Sequence, residues 1–143
     1  MADLDTTVDV EQLLIDALRA GLAECGYSMP VGSRVPNPST TESVQVYRTG
    51  GNARVARVLD GAQVTIDVRA AREVRAVRIM GAIAGLMHYF ESRVLASTPI
   101  YAVDELSSMV NLPDPLTPNA VRYTQTFVVT LRTGLLSVPA LPA

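Results

Sequence analysis

Along the chain, stretches whose apolar residues recur every three or four positions alternate with stretches where they recur every second position. These are the periods of a helix and of a strand. Val10, Leu13, Leu14, Ala17, Leu18 and Gly21 form one stripe, which predicts an amphipathic helix from about Val8 to Cys25. Thr6 and Thr7 are its candidate N-caps, Asp9 and Glu11 put carboxylates where the helix dipole favours them, and Gly26 suits its stop. Met29, Pro30, Pro36 and Pro38 then leave room only for a short strand around Val31 to Val35. Ser43 to Thr49, with Val44 and Val46 inward, reads as a strand with one buried and one polar face. So does Gln63 to Arg69, where Val64, Ile66 and Val68 alternate with Thr65, Asp67 and Arg69. The stretch between them, with Thr49-Gly50-Gly51-Asn52, Arg54, Arg57 and Asp60-Gly61, is too long for a two-residue hairpin and predicts an exposed loop.

A second helix is expected over about Ala71 to Ala96, with Ala76, Ile79, Met80, Ile83, Met87, Phe90 and Val94 on the face that covers the sheet. Val77, Gly81, Ala84, Gly85 and His88 fall on the opposite side. A glycine inside a helix costs about 1 kcal/mol relative to alanine. Close packing is therefore expected at Gly81 and Gly85, against the first helix or against a neighbouring subunit. Further strands are predicted at Ile100 to Leu106 and Tyr123 to Arg132, separated by the turn-rich Asn111 to Pro115 and Thr117 to Asn119. The order implies an α+β fold: a mainly antiparallel sheet of about four strands with two helices packed on one face. Residues 1–133 read as a single domain and 134–143 as an apolar, proline-containing tail. Leu135, Leu136, Val138 and Leu141 of that tail must dock on their own domain or on another molecule.

Composition narrows the chemistry. A chain of 143 residues suits one core, and 48% hydrophobic against 18% charged residues is far from the regime of disorder. The longest uncharged apolar stretch, Ile79 to Met87, is well short of the roughly 20 residues of a membrane span. The acidic start MADLDTTVDVE lacks the pattern of an export signal, so a cytosol-like compartment is expected. A net charge of −2 argues against avid general binding to nucleic acid. All twelve basic residues are arginine, which removes the lysine of a phosphate-binding loop and the amine of a Schiff base. One cysteine, Cys25, and one histidine, His88, allow no internal disulfide and no Cys/His metal cluster. As a thiol and base they make a poor pair, since Cys25 sits near a helix end and His88 in mid-helix. Asp60, Asp67, Asp104 and Glu105 read as structural carboxylates. Arg69, Arg72, Arg75 and Arg78 read as a solvated or partner-facing surface, and Arg48, Arg54 and Arg57 as a contact site for phosphate or a neighbour's carboxylates. No catalytic residue, cofactor or metal site is expected.

Three motifs in order carry a resemblance. The first helix leads to Ser33-Arg34-Val35-Pro36-Asn37-Pro38; a strand ends in Val46-Tyr47-Arg48-Thr49-Gly50-Gly51; and Asn111-Leu112-Pro113-Asp114-Pro115 precedes Arg122-Tyr123 at the start of the last strand. Together, over about residues 8 to 133, they resemble the tail terminator, or tail completion, proteins of long-tailed bacteriophages, especially those of high-GC hosts. The resemblance implies a virion protein, assembled in the host cytoplasm, that forms a hexameric ring on the last ring of the tail tube. It implies contacts with the tail tube protein and with the head-to-tail connector or neck proteins, passage of genomic DNA through the lumen without sequence-specific binding, and no catalysis, cofactor or membrane. Ring or tube contacts are then expected at Arg48, Thr49, Gly50, Gly51, Arg54 and Arg57, at Asn111, Leu112, Pro113 and Asp114, and in the tail at Leu135, Leu136, Val138 and Leu141. A head-to-tail connector of the neck, a stopper or an adaptor, is the alternative with the same features.

Overall fold

The computed structural model describes residues 1–142 except 39, 56, 57, 116 and 117, and leaves the side chains of 52 and 53 undescribed. The elements run β1 (Ala2–Thr6), α1 (Val10–Glu24), β2 (Val31–Gly32), β3 (Ser43–Val55), β4 (Leu59–Ala70), α2 (Glu73–Phe90), β5 (Val94–Leu95), β6 (Thr98–Glu105), β7 (Val110–Asn111), β8 (Val121–Arg132) and β9 (Gly134–Val138). Strand outweighs helix, 44% against 24%, and this corrects the expected four-stranded α+β layer. The main sheet curls and has seven strands in the order β2-β3-β4-β8-β6-β5, with β7 paired to β8. It is mixed, because β2 runs parallel to β3 while the other pairs are antiparallel. The helices do not form a layer over four strands: α2 crosses β4, β8 and β6, whereas α1 packs on α2 and on the β2–β3 edge.

The short strands β5, inside the stretch expected as the end of the second helix, and β7, at the expected turn, add to the main sheet, and two further miscounts raise the strand content. In the first, the glycine-rich stretch after Thr49 is strand rather than loop, so β3 and β4 make one long hairpin in register from Ser43/Arg69 to Val55/Leu59. Its pairing slips between Arg48 and Gly50, where Thr49 is the extra residue of a bulge, and again between Asn52 and Val55. Gly51 needs its missing side chain: its φ is +134°, and a Cβ there would strike the Gly61 carbonyl oxygen across the ladder. The second miscount concerns the termini. Residues 2–6 and 134–138, which carry no long alternating pattern, pair as an antiparallel two-stranded ribbon with Leu4 opposite Leu136. Part of the expected tail is therefore strand β9, partnered by an N-terminal strand that the periodicity does not announce.

The helices are shorter than their patterns predict. Asp9, not Thr6 or Thr7, caps α1, its Oδ1 accepting from the Gln12 amide at 3.1 Å. Helix α2 stops at Phe90 instead of Ala96, and Ser92 turns the chain with a positive φ of 64°. Val94, expected on the buried face of that helix, is exposed on β5. The remaining apolar stripe behaves as expected: Ala76, Ile79, Met80, Ile83, Met87 and Phe90 are buried against Val64, Ile66, Val68, Phe127 and Val129 in one continuous core. Leu14, Leu18 and Leu22 of α1 complete it. The helices meet where Gly21 faces Leu86, whose Cδ2 lies 2.7 Å from the position of an added Cβ. Gly81 and Gly85 are not used in that contact, and among the described residues nothing beyond the helix's own backbone lies within 4 Å of a Cβ at either.

Gly51→Ala should lower unfolding stability by about 2–4 kcal/mol, since it adds a backbone clash to a disfavoured φ. Gly26→Ala, with a φ of +86° but open space around it, should cost only about 1 kcal/mol. Urea titration of the two variants against the parent chain checks the ordering.

Candidate assembly surface

The first expected contact residues lie at the β3 bulge. The Arg48 amide donates to Glu11 Oε2 at 2.8 Å, tying the bulge to the first turn of α1. Its guanidinium grips Asp60 with two hydrogen bonds, Nη1 to Oδ2 at 3.2 Å and Nη2 to Oδ1 at 3.1 Å. Asp60 is buried, and this fork supplies the charge partner that a buried carboxylate requires. Arg48 thus works inside the chain. Thr49 is bound to Thr65, hydroxyl to hydroxyl at 3.0 Å, and Thr65 to Thr126 at 3.0 Å, a polar row across three strands. Arg54, near the tip of the hairpin, donates from Nη1 to the Asp5 carbonyl of β1 at 2.9 Å. Arg57 lies outside the described residues.

The second group, Asn111 to Asp114, folds onto the outer face of the sheet. The Leu112 amide and carbonyl bind the Arg122 carbonyl and the Arg122 Nε, at 2.9 and 2.8 Å. Asp114 Oδ2 accepts from Arg69 Nη2 at 3.0 Å and lies 3.9 Å from Arg122 Nη1. The same two guanidinium groups face Asp67 at 4.0 and 3.8 Å. Gln45 accepts from Arg69 at 3.1 Å and Tyr47 donates to Asp67 at 3.1 Å. Arg69 therefore departs from the solvated arginine series predicted with Arg72, Arg75 and Arg78: it is buried at the centre of a two-carboxylate, two-guanidinium cluster. Arg75 does stay at the surface, on Glu42 at 2.6 Å and over the Tyr27 ring. Among the described residues Asp67 Oδ1 and Arg69 Nε are buried without a hydrogen-bond partner.

Sequence reasoning missed Gln45, Tyr47 and Arg122 as members of this cluster. A signal existed: Asp67 and Arg69, two apart in a strand, must point to the same face, and so must Gln45 and Tyr47. What was missing was that β4 is interior and that the 111–115 segment covers it. Gln125 was also missed; it lies buried on the helix-facing side and donates to Glu105 at 2.7 Å and to the Ser107 carbonyl at 3.1 Å. Glu105 in turn stands 3.7 Å from His88. Cys25 is exposed at the C-terminal cap of α1. Among the described residues no group of three or more His, Cys, Asp or Glu side chains could hold a metal ion. No described helix is long and apolar enough to cross a membrane.

The third group forms the β1–β9 ribbon and its continuation. Leu135, Leu136 and Leu141 are exposed, and Val138 is half-buried opposite Ala2. The ribbon and the arginine-bearing outer face of α2 are two of the surfaces on which apolar side chains stay exposed; Val55, Tyr89, Val94, Leu106 and Val110 are others. No protein-family model matches the chain, and no curated protein is similar to it.

Two predictions rest on these contacts. Arg69→Met should cost about 3 kcal/mol, the low end for a broken buried pair because Arg122 still faces both carboxylates, while Arg75→Ala on its exposed pair should cost under about 1 kcal/mol. Chemical denaturation of the two variants measures the contrast. The second prediction concerns alkaline pH. Burial and the neighbouring Asp67 charge push the Tyr47 phenol up from its ordinary value of 10. The hydrogen bond to Glu73, then burial, do the same for Tyr123. Both phenols hold their proton more tightly in the folded chain, so the stabilisation is complete below pH 10 and is lost as pH rises through the higher folded values. Stability measured from pH 9 to 12 should fall, and should fall less in the Tyr47→Phe/Tyr123→Phe variant, over about that range.

Proposed function

We propose that this chain is a structural virion protein, a ring-forming tail terminator that caps the tube of a long-tailed bacteriophage, ends its polymerisation and presents a face to the neck. The ordered series of motifs from Ser33 to Tyr123 supports this reading. The observation that carries it furthest is the terminal ribbon: a two-stranded sheet is marginal on its own in water, and here it displays leucines instead of burying them. Such a ribbon suits a protein completed by assembly. A ring further needs two different patches that meet head to tail, and the ribbon and the α2 face are chemically unlike each other. The arginines counted as contact candidates divide accordingly: Arg48 holds the fold together, and Arg54 braces the ribbon.

Purified protein added to tail tubes that lack their terminator, imaged by electron microscopy, should give rings on the ends of tubes of uniform length. Overlong, uncapped tubes with the protein bound elsewhere would replace this reading with that of a head-to-tail connector.

A further inference from the structure

The ribbon has two unlike faces. Strand pairing sets Asp3 opposite Ser137 and Asp5 opposite Leu135, so one face carries two carboxylates around a leucine that is 69% exposed. Ser137 donates to Asp3 at 2.7 Å, and among the described residues no basic side chain meets either carboxylate. The ribbon strands contain no Lys, Arg or His. The outer face of α2 is the complement. Val74 and Val77 are 64% and 37% exposed, Arg78 follows Val74 one turn on, and Arg72 stands at the helix start. Among the described residues neither Arg72 nor Arg78 forms an ion pair; Arg72 shares a surface depression with Glu42, whose carboxylate Arg75 holds, and Glu73 is bound by Tyr123. The open space above Gly81 lets a strand backbone come close to this helix.

We infer that the Asp3/Asp5/Leu135 face of one copy's ribbon docks on the Val74/Val77/Arg78 face of α2 in a second copy. Leu135 covers the two valines, and the carboxylates meet Arg72 and Arg78. The occupant is a second copy because the charge and the apolar cover that α2 lacks are both present on the ribbon of the same chain, two carboxylates for two guanidinium groups and one leucine for two valines. The apolar groove between α1 and β5, lined by Leu13, Asp16, Ala17, Val94 and Leu95, offers the ribbon's carboxylates no arginine in its lining, and its Asp16 is already paired with Arg19. Ribbon to helix joins two different patches, so the contact propagates head to tail and closes into a ring where the rotation permits. This inference rests on the ring-forming reading and names the contact that makes the ring.

The test uses charge reversal in the full chain. Asp3→Arg/Asp5→Arg and Arg72→Glu/Arg78→Glu should each weaken self-association about tenfold or more, read by light scattering over micromolar to millimolar protein at low salt. Mixed in equal amounts, the two variants should assemble again, because every ribbon then finds an α2 face of opposite charge. Circular dichroism establishes that each variant is folded. If one is not, disulfide trapping between copies carrying Leu135→Cys and copies carrying Val77→Cys, both in a Cys25→Ser background, gives the same decision. A parent chain that stays monomeric throughout, single variants that assemble like the parent, a mixture of folded variants that does not assemble, or no crosslink in the trap would overturn the inference. Rings that depend on these charges but cap no tail tube would overturn the terminator reading and leave this contact standing.

Discussion

An interior strand with charge on one face imposes the main constraint on this molecule. Strand β4 has β3 on one side and β8 on the other, and from Thr65 to Ala70 every residue is buried. Its even-numbered side chains meet the helices and need only apolar partners. Its odd-numbered ones, Asp67 and Arg69, are charges held away from water, where an unpaired ion costs several kcal/mol. Everything brought to that face answers the demand: Gln45 and Tyr47 from β3, Arg122 from β8, and Asp114 from the segment that crosses over the sheet. The path of residues 111–115 is thus bound to two side chains that lie more than forty residues earlier in the chain.

A second chain of dependence runs from the core to the periphery through Arg48. The extra residue at Thr49 bends β3, and the Arg48 amide finds the Glu11 carboxylate. The side chain of Arg48 meanwhile neutralises Asp60 near the start of β4. Helix α1, the bulge and the base of the β3–β4 hairpin therefore hold one another in place. Beyond that base the hairpin reaches the ribbon, where Arg54 takes the Asp5 carbonyl. Arg54 thereby braces the ribbon, whose Leu135 and Leu136 stay exposed.

Legibility in the sequence followed periodicity. The apolar stripes of both helices and the alternating cores of β3, β4 and β8 were readable because their burial repeats within a few residues. The bulged half of β3 was not, because Gly50, Gly51 and Asn52 are turn formers and only the cross-strand fit at Gly61 makes them strand. The β1–β9 pair was not, because Asp3 and Ser137 meet across 134 residues of chain and the alternation of Ala2 to Thr6 is too short to announce a strand. Among candidate contact residues, Leu135, Leu136 and Leu141, expected to dock on their own domain or on another molecule, are left exposed by the chain itself, and the inward turn of Arg48 and Arg69 was not legible. An arginine's destination depends on which carboxylate the topology brings near it, and the topology was the part that was misread.

Two-stranded edges invite indiscriminate pairing, and the composition of this one bears on how it avoids that outcome. A free edge flanked by leucines would extend with any other edge, including that of an identical ribbon. Here Asp3 and Asp5 sit on the same face of β1, so two ribbons brought together face to face set four carboxylates against one another. Proline follows β9 at position 139 and cannot donate to a further ladder bond. The same residues that discourage ribbon-on-ribbon association favour a basic, partly apolar, non-strand partner. In the contact proposed above, acidic edge and arginine-bearing helix would turn a general hazard of exposed strands into a directional preference, as a head-to-tail ring requires.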